Sequence, residues 1–256
     1  MHKFIHDEEQ IRRFVKLMSP LKPDEAYFLS LSARNKYLTD EERKTYELGR
    51  TEMFARELVK QNKYGTPIED IYLRVLKSMQ VSEGGYTSRT GVTLPDKCLV
   101  VYANINPSSG IKALKMFYER TTEALFDMRT NSEAPSNFNN LDTQLMNCYQ
   151  KCKGTRTLID IDFDIPEEGS DILHTFLDEM YEKDVKYHVV KTKSGYHVLL
   201  ERETLKFNYN LNIIKAHEEA QKRFGKEHIE VEVNKNEMIP IPGTMQAGHK
   251  VSFLEI

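Results

Sequence analysis

Residues 159–164 read Ile-Asp-Ile-Asp-Phe-Asp, a strict alternation of apolar and acidic side chains. Successive side chains of a strand point to opposite faces, so Ile159, Ile161 and Phe163 share one face while Asp160, Asp162 and Asp164 share the other. The pattern returns at 229–233, where Ile229, Val231 and Val233 alternate with Glu230 and Glu232. A third segment places Val198 and Leu200 on one face and His197 and Leu199 on the other. Each strand therefore has an apolar face that must be covered, and the opposite faces of the three together gather up to five carboxylates and one histidine.

The segments between these strands supply the cover. A strand over 157–164 is followed by a helix over 171–183, strands over 186–192 and 196–202 joined through Ser194-Gly195, a helix over 209–224 ending at Gly225, and a strand over 228–233. The order β-α-β-β-α-β predicts an α+β fold of the split βαβ (RRM-like or ferredoxin-like) type, with two helices on one face of a four-stranded antiparallel sheet. The first strand is then central, flanked by the third and fourth, and the acidic face is left uncovered. Upstream, residues 98–104 read as a strand, 110–128 as a helix and 140–153 as a helix stopped by Gly154. The polar stretch 131–140 marks a module boundary. Residues 1–95 read as helical: Asp7 to Met18 stops before Pro20, Thr39 to Gln61 opens with Thr39 and Glu42 at capping-box spacing, and Thr66-Pro67-Ile68-Glu69 opens a third helix. A turn-rich loop follows over 82–91. The expected division is a helical region over 1–95, an αβ unit over 96–155 and an RRM-like sheet domain over 156–256.

Composition narrows the class. Among 256 residues 39% are apolar and 29% charged, no low-complexity tract occurs, and no apolar run approaches the ~18 residues of a membrane span. The amino terminus turns acidic at once and lacks the pattern of a secretory signal, so a cytoplasmic address and no membrane partner are expected. Three cysteines cannot form a disulfide framework, and Cys148 and Cys152 read as ordinary buried thiols. The net charge of −3 shows no basic excess, but its distribution is informative. Residues 151–256 carry 15 basic and 19 acidic side chains, and five of those acids stand on the two alternating strands.

Like charges side by side on a sheet destabilise it and raise each other's pKa, so something must compensate. Carboxylates on adjacent strands can converge on one or two divalent ions, and oxygen ligands favour Mg2+ or Mn2+. Asp160, Asp162, Glu230 and Glu232 are the candidate ligands. The hairpin Lys191-Thr192-Lys193-Ser194-Gly195-Tyr196-His197 adds two lysines, hydroxyls, turn amides and an imidazole, a set able to hold a polyphosphate. Removing Asp160 and Asp162 together is expected to relieve repulsion without loss of stability.

These motifs, in this order, resemble those of the archaeo-eukaryotic primase superfamily, the primase-polymerases, particularly phage and plasmid members. LIDID (158–162) resembles the strand with two acids, KSGYH (193–197) the Ser-and-His motif, and IEVEV (229–233) the hydrophobic-acid strand. IPIPGTMQAGHKVSF (239–253) is similar to the Pro-Gly-Thr segment that follows. The resemblance covers about residues 156–253; the strand at 98–104 with its helix looks like part of the family's amino-terminal αβ unit. It implies a catalytic palm in which Asp160, Asp162 and either Glu230 or Glu232 ligate Mg2+ or Mn2+. Ser194 and His197 would contact the incoming nucleotide's phosphates with Lys191 or Lys193 assisting. Template-directed nucleotide transfer in DNA replication would follow, with a nucleic acid template and nucleoside triphosphates as partners and a replicative helicase as an open one. Pro240 stands where many relatives carry Arg, which shifts phosphate binding toward Lys235 or Lys250.

Two other classes use similar surfaces. A metal-dependent nuclease can activate water with the same ions, although a triphosphate clamp serves no purpose there. A non-catalytic nucleic-acid-binding module would place aromatic side chains on the central strands, where this chain carries Asp160, Asp162 and His197.

Overall fold

The computed structural model describes residues 3–80, 85–88, 91–130, 140–225 and 229–255. They form an α+β structure built on two antiparallel sheets. In chain order the elements are α1 (Glu8–Leu17), β1 (Glu25–Arg34), α2 (Asp40–Tyr46), β2 (Thr51–Val59), α3 (Ile68–Ser78), β3 (Leu99–Asn104), β4 (Ser108–Ser109), α4 (Gly110–Thr130) and α5 (Leu141–Lys151). They continue with β5 (Leu158–Asp164), α6 (Ser170–Glu182), β6 (Tyr187–Lys191), β7 (Tyr196–Glu201), α7 (Asn210–Phe224), β8 (Glu230–Val233), β9 (Met238–Pro240), β10 (Met245–Gln246), β11 (His249–Lys250) and β12 (Ser252–Leu254). No helix among the described residues is long and apolar enough to cross a membrane.

The second sheet runs β12-β6-β7-β5-β8, which puts the acidic strand β5 between β7 and β8 as the β-α-β-β-α-β order predicts. Its register sets Asp162 opposite His197 on one side and opposite Glu232 on the other, with Asp164 opposite Glu230. The inner face carries Ile161, Phe163, Val198, Leu200 and Val231, packed against Leu173 and Phe176 of α6 and Ile213, Ala216 and Ala220 of α7. Phe163 meets Phe176 edge to face at 5.2 Å between ring centres. Gly195, in the β6–β7 turn, lies so close to β5 that a Cβ there would stand 1.9 Å from the Phe163 carbonyl oxygen. Only glycine lets the hairpin come in tight enough to pair Tyr196 with Phe163.

The amino-terminal region corrects the helical expectation. The capping box at Thr39 and Glu42 forms as read, but α2 ends at Tyr46 with Glu47 in the left-handed region at φ 46°. The chain then reverses and pairs β2 along β1 from Thr51 to Val59. Residues 51–59 favour helix by composition; the pairing with β1 overrides that preference. The resulting sheet runs β11-β10-β3-β1-β2, with β4 added to β1 and β9 to β3. Tyr27, Leu29, Leu31 and Ala33 of β1 enter a core shared with Ile11, Phe14 and Val15 of α1 and Tyr72 and Leu76 of α3.

The polar face of the second sheet is not bare, which is a second correction. Val190, Leu199 and Leu158 project from it into the same core as the first sheet, joined by Val251 and Phe253. Residues 238–254 stitch the two sheets together: β9 and β10 pair with β3, and β12 returns to pair with β6. In this segment Gly243 has φ +91°, and its carbonyl accepts the amides of His6 and Asp7 at 2.9 and 3.1 Å, docking the start of α1. The boundary stretch 131–140 lies almost wholly outside the described residues, as do half of the loop at 82–91 and His228 of the last expected strand. The three cysteines are buried and free.

Candidate active site

Where the sheets part, they leave a cleft of about 480 Å3. Asp162 and Asp164 of β5, Glu232 of β8, His197 of β7 and Ser194 line one wall. Ser30, Ser32 and Arg34 of β1, with Lys36 and Arg50, line the other. The pairing of β1 with β2 slips between Leu31 and Ser32, a bulge at the segment that presents Ser32 and Arg34. The cleft is therefore acidic on one side and basic on the other.

Asp160 is set behind this wall. Its side chain is fully inaccessible, and its carboxylate meets His197 Nδ1 at 3.0 and 3.1 Å and accepts from Asn234 Nδ2 at 2.7 Å. The Asn234 backbone amide also donates to the Asp160 carbonyl at 2.9 Å. Asp162 lies farther from the imidazole, at 3.8 Å. Burial works against charging His197, but the carboxylates of Asp160 and Asp162 outweigh it and lift its pKa to about 9. With Nδ1 committed to Asp160, Nε2 is the ring nitrogen left without a protein partner among the described residues. Asp162 moves the same way for a different reason: burial raises its pKa to about 6, His197 lowers it, Asp160 and Asp164 raise it, and Lys36 lowers it.

Among the described residues no group of three or more His, Cys, Asp or Glu side chains is placed to hold a metal ion. The expected ligand set is thus redistributed: Asp160 is occupied by protein donors, Glu230 is absent from the cleft wall, and Asp162 and Glu232, the latter as exposed as Glu230, remain as a neighbouring pair on adjacent strands. Two carboxylates suffice for Mg2+, which commonly keeps water and takes its remaining ligands from phosphate oxygens. The donor chemistry fits a hard divalent ion completed by a ligand, and does not fit a closed protein cage.

The hairpin lysines are placed differently from their expected role. Lys191 Nζ donates to Glu167 at 2.7 Å. Lys193 donates its amide to Gln246 Oε1 at 2.8 Å and stacks its ammonium on Tyr37 at 4.9 Å. Lys235 and Lys250 are exposed, and none of the four lines the cleft. The cations that do are Arg34, Lys36 and Arg50, which sequence reasoning missed because they lie in the region read as helix. Arg34 is anchored by donating Nη1 to the Tyr102 hydroxyl at 2.9 Å, while its buried Nε has no hydrogen-bond partner. The alternation Leu29-Ser30-Leu31-Ser32-Ala33-Arg34 was the available signal for a strand with a polar face. No family model, curated protein or solved structure matches the chain.

Proposed function

We propose that the cleft is the site of a template-directed nucleotidyltransferase of the primase-polymerase type. The observation that carries this reading is the register that sets Asp162 between His197 and Glu232, facing a wall of three cations. The strand order β6-β7-β5-β8, with α6 and α7 packed on one face, is compatible with the split βαβ palm that the three motifs suggest.

In this reading Asp162 and Glu232 hold Mg2+ or Mn2+, with Asp164 beside them. The ion, when bound, would lower the pKa of the attacking hydroxyl and neutralise charge on the phosphates. His197 stays protonated at neutral pH and offers Nε2–H to a phosphate oxygen, while Asp160 fixes its tautomer and ring plane. Arg34, Lys36 and Arg50 would draw the triphosphate across the cleft, taking the part first assigned to Lys191 and Lys193. The unpartnered Nε of Arg34 is a donor of the kind a phosphate oxygen satisfies. Ser194 lines the same wall and would complete the phosphate contacts.

The test is incorporation of labelled nucleotides on primed and unprimed templates, with Mg2+ or Mn2+ and with chelator. Metal-dependent extension by the wild-type chain that is lost in Asp162→Asn supports the reading. Strand cleavage without incorporation would identify a nuclease, and neither activity would leave an inactive nucleic-acid-binding scaffold.

A further inference from the structure

We propose that a second groove, separate from the cleft, binds the backbone of single-stranded nucleic acid. This groove of about 600 Å3 is lined by Lys112 and Lys115 of α4, Lys151 at the end of α5, and Lys153 and Arg156 on the way into β5, with Glu119 the one acid among its lining residues. For a chain of net charge −3 this is a strong local concentration of positive charge.

The protein itself neutralises only part of it. Glu237 stands 3.2 Å from Arg156 and 4.0 Å from Lys153, whereas Lys115 and Lys151 have no ion-pair partner among the described residues. The floor is fixed: Lys153 Nζ donates to the Asn236 carbonyl at 2.8 Å, and Lys112 Nζ donates to the Lys153 carbonyl at 3.0 Å. Burial and the neighbouring Arg156 hold the Lys153 ammonium down to a pKa of about 8 against the pull of Glu237. Cations crowded on three chain segments repel one another, and a row of phosphates relieves that repulsion along its length better than a single anion does.

The surroundings favour a single strand. Arg156 is shared with an adjoining hollow lined by Arg202, the acids Asp160 and Glu237, and the half-buried rings of Phe207 and Tyr209. Its two charges of each sign balance, so it is the rings, against which unpaired bases can stack, that favour a single strand over a duplex. That hollow in turn shares Asn234 with the cleft. The turn 234–237 connects all three: Asn234 holds Asp160 on one side, and Glu237 with the Asn236 carbonyl holds Arg156 and Lys153 on the other. A strand lying in the groove would thus be led toward the acidic wall.

The experiment is fluorescence anisotropy of a fluorescein-labelled oligothymidylate, and of a duplex of equal length, over a series of salt concentrations in chelator. The wild-type chain is expected to bind the single strand more tightly than the duplex. Lys115→Glu with Lys151→Glu should weaken that binding about tenfold or more and reduce the slope of log affinity against log salt by about 1.4, two phosphate contacts' worth. Both residues are exposed, so this variant should melt with the wild type; the charge-matched control Lys16→Glu with Lys44→Glu should bind within about twofold of it. The assay reads binding in chelator and not incorporation, so a chain without transferase activity would leave this proposal standing. Unchanged affinity and salt slope in the Lys115/Lys151 variant would overturn it, as would equal or tighter binding of duplex or no binding at low salt.

Discussion

His197 and Asp160 form a buried charge pair, and their energetics reverse one expectation drawn from the alternation. Crowded carboxylates suggested that deleting Asp160 and Asp162 together would relieve repulsion. The repulsive member is Asp162, whereas Asp160 is the partner of a buried imidazolium and of Asn234. Asp160→Ala should therefore destabilise the fold by about 3–5 kcal/mol, the cost of leaving a buried charge unpaired, measurable by denaturant unfolding. Asp162→Asn should be neutral or stabilising at neutral pH in chelator. The pH dependence follows from the same two groups. The pKa of His197, about 9, lies above the ordinary imidazole value of 6.5, so its contribution to stability is complete below 6.5 and is lost as pH rises through 9. The pKa of Asp162 is also raised, to about 6, so ionising it costs stability as pH rises through that value. The metal-free chain should lose stability in two steps between about pH 4 and 9, the upper flattened in His197→Gln and the lower in Asp162→Asn.

At the scale of elements, the inner face of the second sheet was legible because alternation assigns it correctly on β5, β7 and β8. Ile161, Phe163, Val198 and Val231 all enter the α6–α7 core from the faces their spacing assigns. The hairpin is the tightest of these junctions. Gly195→Ala should destabilise by more than 1 kcal/mol, because the added methyl meets a backbone carbonyl that cannot move without disturbing the strand carrying the acids. The strand β2 was not legible for a physical reason: its Glu, Met, Ala, Arg and Leu residues suit a helix, and only β1 alongside makes it a strand. Gly49 and the left-handed Glu47 mark where the helix ends.

At the scale of the molecule, what the sequence could not supply was the docking of one sheet on the other. The acids were readable as a row, but the basic wall opposite them comes from residues more than a hundred positions away in the chain. Leu199, an apolar residue standing on the polar face beside His197, was the hint that this face is partly covered; it joins the core of the first sheet. If the two walls act together on a polyphosphate, Arg34→Ala with Lys36→Ala should weaken nucleoside triphosphate binding about tenfold or more, by calorimetry with Mg2+. Lys191→Ala, whose ammonium is already paired with Glu167, should change it little.

The most direct test of the central claim is a comparison of metal-dependent nucleotide incorporation on a primed template by the wild-type chain, Asp162→Asn, Glu232→Gln and Glu230→Gln. The cleft geometry predicts that the first two substitutions each reduce incorporation more than about a hundredfold while Glu230→Gln, on an exposed residue outside the cleft, stays near wild type. Incorporation by Asp162→Asn or Glu232→Gln at the wild-type rate, or its complete absence from the wild-type chain with either ion, would contradict the assignment.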